Sequence, residues 1–198
     1  PNDTAQRVQV SFSDLCLAGK VSLRDLFLKK DLGQFSGTYT VTVPAHGTRI
    51  YKAQGERRLE RTRYEAETAY ISDYQELTNN QAAKTGIYEY ADYCSSGLKA
   101  GWLGQSESND LQWRDVYSHK GGKYELTIAY ISGENRTMAV DVNGRRVQTI
   151  SVSSGSCNTV AKKTVSIQLK KGHNTIRLSN ATGWMPDIDY IDVRPVFQ

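Results

Sequence analysis

The chain has 198 residues, 38% hydrophobic and 23% charged, with a formal net charge of +4, so it is long and apolar enough for one large or two small folded domains and is no disordered tail. No apolar run approaches the roughly 20 residues that span a bilayer, and the opening PNDTAQR lacks the basic and apolar regions of a signal peptide, so the chain is expected to be soluble. Cys16, Cys94 and Cys157 have no metal-type spacing and cannot all pair within one chain, and the basic stretch ERRLERTR contains two acids and no stacking aromatics, which argues against a nucleic-acid site.

In chain order the pattern is one of short alternating or apolar runs between turn signals, with almost no helical periodicity. GTYTVTV precedes Pro44, the charged AQGERRLERTR reads as a solvated linker, and GKYELTIAYI follows Gly121-Gly122. MAVDV and RRVQTI flank Asn143-Gly144, a strong signal for a two-residue type I′ hairpin, which needs positive φ at both positions. LKKGHNTI predicts a second hairpin with a longer loop, and DIDYIDV predicts a last strand. The predicted fold is all-β: a β-sandwich of jelly-roll type over residues 57–198, preceded by a small, partial antiparallel β domain over 1–56.

The last strand poses a problem. Strict alternation puts Ile188 and Tyr190 on one face, and Ile191 and Val193 with Asp187 and Asp189 on the other. Both faces then look partly buried, and a carboxylate on a buried face needs compensation. Glu65 and Glu67 in YEAE are two apart on a predicted strand, so their carboxylates share a face with Cα atoms roughly 6.5–7 Å apart. First and last strands of a compact domain often lie side by side, which would bring these glutamates to Asp187 and Asp189. Hard oxygen ligands without His or Cys suit calcium. The competing reading leaves the glutamates on a solvated edge and pairs Asp189 with an Arg or Lys.

For a binding site, NATGWMPD combines a loop aromatic, Trp184, with the amide of Asn180 and a Gly183 hinge. Sugars present an apolar C–H face and a rim of hydroxyls, which an aromatic plane and a few polar groups can grip. Tyr93, just before CSSG, is a further candidate for the facing wall. Trp184 could equally plug the end of the core; Trp113 in LQWRDV is assigned to the core, and Trp102 is left open. No pair of acids is better explained as a catalytic couple, and His46, His119 and His173 accompany no nucleophile motif.

Two resemblances add to this reading. VSLRDLF, KKDLG and VPAHG, in that order within the first fifty-five or so residues, resemble the C-terminal antiparallel β domain of family 27 glycoside hydrolases, the α-galactosidases, with Phe27 where that family usually has Trp. The resemblance implies a catalytic (β/α)₈ barrel preceding Pro1, which at about 250 residues cannot lie within this chain. From Tyr64 to Val193, the ordered set RYEAETA, SSGLKAGWLG, GGKYELTIAYI, DVNG, LKKGHNTIRL and DIDYIDV resembles the jelly-roll carbohydrate-binding modules of families 35 and 6. It implies a structural calcium held by Glu65, Glu67 and Asp189, and a glycan site to which the loop of Trp184 and Asn180 contributes. SSGSCNTVAKK lacks the Trp that many family 35 modules carry there.

The expected function is therefore a non-catalytic carbohydrate-binding region of a secreted α-galactosidase-like hydrolase. Its expected partners are a galactose- or uronic-acid-containing polysaccharide and an upstream catalytic domain. It is expected to act outside the cytoplasm, extracellular or periplasmic, as a monomer that meets neither nucleic acid nor membrane. The alternative is a structural appendage that packs on a catalytic domain without binding glycan, discriminated by a buried Trp184.

Overall fold

The computed structural model describes residues 2–77 and 82–196. Among these the regular structure is strand, apart from a single 3₁₀ turn at Ala66–Thr68. Contacts divide the chain into two compact units, Pro1–Glu60 and Arg61–Gln198.

The first unit contains β1 (Gln6–Ser11), β2 (Leu17–Asp25), β3 (Lys30–Ser36), β4 (Thr38–Val43) and β5 (Tyr51–Arg58). β1 pairs with β4, and β3-β2-β5 form a three-stranded antiparallel sheet. A small core gathers Phe12, Val21 and Leu23 against Leu17, Phe35 and Tyr39. Alternation on β2 turns Val21, Leu23 and Asp25 inward. Asp25 is satisfied because its Oδ1 accepts the N–H groups of Phe27 and Leu28 at 2.9 and 2.8 Å, closing the turn to β3. The first half of the charged AQGERRLERTR is edge strand: Ala53–Arg58 belong to β5, where charged side chains suit an exposed edge.

The second unit contains β6 (Arg63–Glu65), β7 (Tyr70–Ile71), β8 (Ile87–Tyr90), β9 (Leu98–Gly101), β10 (Gly104–Ser118), β11 (Gly122–Ser132), β12 (Arg136–Val142), β13 (Arg145–Val152), β14 (Ser156–Leu169), β15 (Gly172–Trp184) and β16 (Asp187–Pro195). One sheet runs β13-β12-β15-β10-β7; the other runs β14-β11-β16-β9-β8, with β6 also on β16. Their inner faces share one core, in which Leu111, Val140 and Ile176 meet Leu126, Ile128 and Ile191. This is the β-sandwich that alternation predicts.

Two local expectations resolve differently. Asn143 and Gly144 have φ of 52° and 78° and join β12 to β13 as the predicted hairpin. LKKGHN forms no hairpin, because β14 pairs with β11 in one sheet while β15 pairs with β10 and β12 in the other. It is a corner that carries the chain between sheets. The side chain of buried Asn174 knits it: Oδ1 accepts Lys170 N–H at 2.9 Å, and Nδ2 donates to the carbonyls of Lys170, Gly172 and Val116 at 2.9, 3.0 and 3.3 Å.

The last strand also departs from strict alternation. Opposite β11, Tyr190 pairs with Ala129 and Ile188 with Tyr130, so Asp189 is an extra, bulged residue. The bulge reverses parity. Ile188, Ile191 and Val193 all enter the same core, correcting the expectation that Ile188 and Tyr190 share a face. Asp189 is itself buried, at 2% exposure.

Candidate functional site

Two clusters of charge lie near the bulged strand, and a third lies on the opposite sheet. The first is the acidic group predicted from the termini of the module. β6 runs antiparallel to β16 with Glu65 opposite Tyr190 and Arg63 opposite Asp192. Glu65 ends the strand, whereas Glu67 sits in the 3₁₀ turn and not on the strand, which corrects the shared-strand geometry. Thr68 Oγ1 and Trp113 Nε1 both donate to the Glu65 carbonyl, at 2.7 and 3.1 Å, and fix that turn. Trp113 is buried in the core, as alternation predicts.

Among the described residues Asp189 is held by a serine and makes no ion pair with an Arg or Lys. Its Oδ1 accepts the Ser95 N–H and lies 3.0 Å from Ser95 Oγ, which lies 2.5 Å from Glu65 Oε2. A hydroxyl has one proton and can donate to only one of these oxygens. Glu67 Oε2 is buried with no hydrogen-bond partner. Burial pushes the Glu65 carboxyl up, against the Ser95 hydrogen bond and with help from the charges of Glu67 and Asp189. Burial likewise pushes Asp189 up, against its bonds from Ser95. The nearby Arg63 is committed elsewhere: it donates twice to Asp192, at 2.8 and 3.1 Å, and stacks 3.7 Å over the Tyr190 ring. Burial and the charge of Asp189 also push the Cys94 thiol up, to about 12. Carboxylate charge thus dominates the surroundings. Among the described residues no three acidic, His or Cys side chains are already drawn together at metal-holding geometry. The fit to calcium is chemical: all-oxygen donors, an orphaned buried carboxylate oxygen and two carboxyls raised by burial and mutual repulsion.

The second cluster is a cavity of about 280 Å³ lined by Glu89, Lys99, Trp102, Arg136, Trp184 and Asp187. The indoles of Trp102 and Trp184 stand 5.7 Å apart at 89°. Trp184 ends β15 opposite Gly104, and Met185 N–H donates to the Leu103 carbonyl at 2.9 Å. Gly104 has a φ of 100°, and a Cβ there would collide with the Gly183 carbonyl, so the close approach of the two segments requires glycine. Trp102 is in the left-handed region at a φ of 57°, a costly conformation for a bulky residue that persists only when surroundings enforce it. Asn109 does so: buried, it donates to the carbonyls of Trp102 and Gly104, both at 2.8 Å, while accepting the Gly86 N–H at 2.8 Å. Trp102 is left 43% exposed, with Nε1 donating to Glu89 Oε1 at 3.3 Å.

Lys99 lies 2.5 Å from Asp187 and 3.4 Å from Glu89. Burial alone would lower the Lys99 pKa, but the bond and charge of Asp187 and the charge of Glu89 outweigh it and hold the ammonium protonated. Burial pushes the Asp187 carboxyl up against the pull of Lys99. Arg136 donates to the Met185 carbonyl at 3.1 Å and to Glu134 at 3.0 Å.

The three predicted glycan residues separate. Trp184 is half-buried on the cavity wall. Asn180 spends its amide on the turn before Trp184, accepting Gly183 N–H at 3.1 Å and donating to the Thr137 carbonyl at 2.9 Å, and it lines a different depression with Thr149 and Ser179. Tyr93 is half-buried against Ala91, Cys94 and Ile131, and its hydroxyl donates to the Cys157 carbonyl at 3.1 Å. Sequence reasoning left Trp102 open and passed over Glu89, Lys99 and Arg136; the "GW" after a turn was the available signal for an exposed indole.

The third cluster is self-contained. Buried Asp110 and Asp141 on the five-stranded sheet both accept from Arg177, the latter at 3.1 Å. Arg146 also pairs with Asp141, and Ser72 and Gln112 donate to Asp110 at 2.5 and 2.9 Å.

An antiparallel β-sandwich with paired indoles at its loop edge and acids across its terminal strands is the build of a non-catalytic carbohydrate-binding module. Residues 62–196 match carbohydrate binding module (family 35), and the chain belongs to that family. Residues 2–53 match the alpha galactosidase C-terminal beta sandwich domain, so both matched segments are of non-catalytic kinds. Among solved structures, a family 35 carbohydrate binding module from Clostridium thermocellum is 25% identical with a TM-score of 0.59, over 67% of this chain and 98% of that one. The CBM35 from Paenibacillus barcinonensis is 24% identical with a TM-score of 0.56, over 68% and 99% of the two chains. An isomalto-dextranase from Arthrobacter globiformis, solved with panose, is 21% identical with a TM-score of 0.60, over 97% of this chain but 33% of that one. No curated protein matches the sequence.

Proposed function

We propose that this carbohydrate-binding region grips its glycan in the cavity between Trp102 and Trp184. In this reading it serves as the accessory part of a secreted, α-galactosidase-like glycoside hydrolase acting on galactose- or uronic-acid-containing polysaccharide. The observation that carries the reading is the pair of perpendicular indoles in a cavity otherwise lined by charged hydrogen-bonding groups. A sugar ring offers one apolar face to an indole plane and directs its hydroxyls at such groups. Asn180 and Tyr93 act as positioning residues, the first for the turn of Trp184 and the second for the loop at 91–97.

Glu65, Glu67 and Asp189 would hold calcium across the terminal strands, aided by backbone carbonyls and water. The ion would supply the positive charge that this group lacks and keep β6 and β16 together. Tethering to the polymer would raise the effective concentration of an attached catalytic domain at its substrate. Such a partner places the protein outside the cytoplasm.

Open-site stacking with a few hydrogen bonds corresponds to dissociation constants on the order of micromolar to millimolar. Calorimetric titration with galacto-oligosaccharides and oligouronides should show binding of at least one of the two by the parent and loss of detectable binding by Trp184→Ala, with an unchanged circular dichroism spectrum. Equal binding by Trp184→Ala would move the site elsewhere and favour the structural-appendage account.

A further inference from the structure

The composition of the indole cavity discriminates between the two ligand classes left open above. We infer that it takes a neutral hexose residue and rejects the corresponding uronate, with Glu89 as the specificity-determining residue. This rests on the reading of the cavity as the glycan site.

The formal charges of the lining cancel: Lys99 and Arg136 face Glu89 and Asp187. The cations are also already engaged. Lys99 is shared between Asp187 at 2.5 Å and Glu89 at 3.4 Å, and Arg136 serves the Met185 carbonyl and Glu134. A uronate entering between the indoles would find each positive charge already paired with a carboxylate, and it would bring a third carboxylate beside the two that line the cavity. Like charges brought together at a desolvated contact weaken binding strongly.

A neutral sugar meets the opposite situation. Its hydroxyls can donate to the remaining lone pairs of Glu89 and Asp187, and can accept from the third ammonium proton of Lys99 and the spare N–H groups of Arg136. Hydrogen bonds to ionised acceptors are the stronger kind. Glu89 is the key group because it binds both walls at once, accepting from Trp102 Nε1 at 3.3 Å and facing Lys99 from the neighbouring strand. Gly101, opposite Ile87 across the β8–β9 pair, leaves the space: a Cβ there would lie 2.5 Å from Glu89 Oε2.

The test is a titration of the full chain with methyl galactoside and methyl glucoside, each against its C6-carboxylate counterpart, at low and high salt. The parent should bind at least one neutral glycoside roughly tenfold or more tightly than its uronate, with no loss in high salt. Glu89→Gln keeps an acceptor and removes the charge, so it should narrow that ratio chiefly by improving uronate binding. A parent that binds a uronate as tightly as, or more tightly than, the neutral sugar overturns the inference while leaving the cavity reading intact. Binding of none of the four probes overturns the cavity reading and the inference with it. The parent ratio and its salt dependence decide the matter even if Glu89→Gln does not fold.

Discussion

The sandwich holds two buried groups of acids that are resolved in opposite ways. On the five-stranded sheet, Asp110 and Asp141 are surrounded by Arg177, Arg146, Ser72 and Gln112, so their charges are matched by the protein itself. At the junction of β6 and β16, Glu65 and Asp189 share one serine, and a buried carboxylate oxygen of Glu67 has no hydrogen-bond partner. Asp189 is as deeply buried as Asp110, with Glu65 and Glu67 half-buried beside it, but internal compensation differs. A buried acid cluster is therefore informative when its cations are missing, and an aspartate such as Asp110 carries no functional message however deeply it lies.

The contrast breaks first at Arg177. Arg177→Ala leaves buried Asp110 without its cation and Asp141 with Arg146 alone, and should cost about 3–5 kcal/mol, read as a lower denaturation midpoint, with no response to chelator or calcium. A loss below about 1 kcal/mol would mean that the network is surface decoration.

Next in size is the acidic cluster. Free calcium a hundredfold above its dissociation constant should stabilise the parent by about 2.7 kcal/mol, and chelation should remove this. Asp189→Ala should abolish the calcium response. Melting curves of the parent that coincide with and without chelator would sink the cation reading.

The smallest effect sharpens the comparison through its sign. Glu67→Gln removes the charge from a half-buried carboxylate, one oxygen of which is buried without a hydrogen-bond partner, so in chelator it should raise stability, on the order of 1 kcal/mol, while weakening the response to calcium. The same acid-to-amide change at Asp110 should destabilise in either medium. Parallel losses at both positions would show that Glu67 is already compensated.

Much of this was legible from local pattern. The Asn143-Gly144 turn is specified by two adjacent residues, and the core position of Trp113 by period-two alternation, since both depend only on neighbours in sequence. The adjacency of Glu65 to Asp189 followed from pairing of the first and last strands. What escaped were properties set by distant partners. The bulge at Asp189 exists only relative to β11, and nothing in DIDYIDV announces it. LKKGHN shows that the chain reverses but not which sheet receives it. The exposure of Trp102 depends on the left-handed loop that Asn109 enforces from seven residues away. The lining by Glu89, Lys99 and Arg136 required three strands to be placed in space.

The hairpin of β8 and β9 touches both sites: its strands carry Glu89 and Lys99, and its loop carries Ser95, which bonds Asp189 and Glu65. β16 repeats the arrangement two residues apart, with Asp187 in one site and Asp189 in the other. For a cation in one and a sugar in the other, thermodynamic linkage demands reciprocity: whatever factor the ion adds to glycan affinity, the glycan adds to ion affinity. Where that factor exceeds one, a molecule seated on its polymer retains its ion at calcium levels that strip it from the same molecule free in solution.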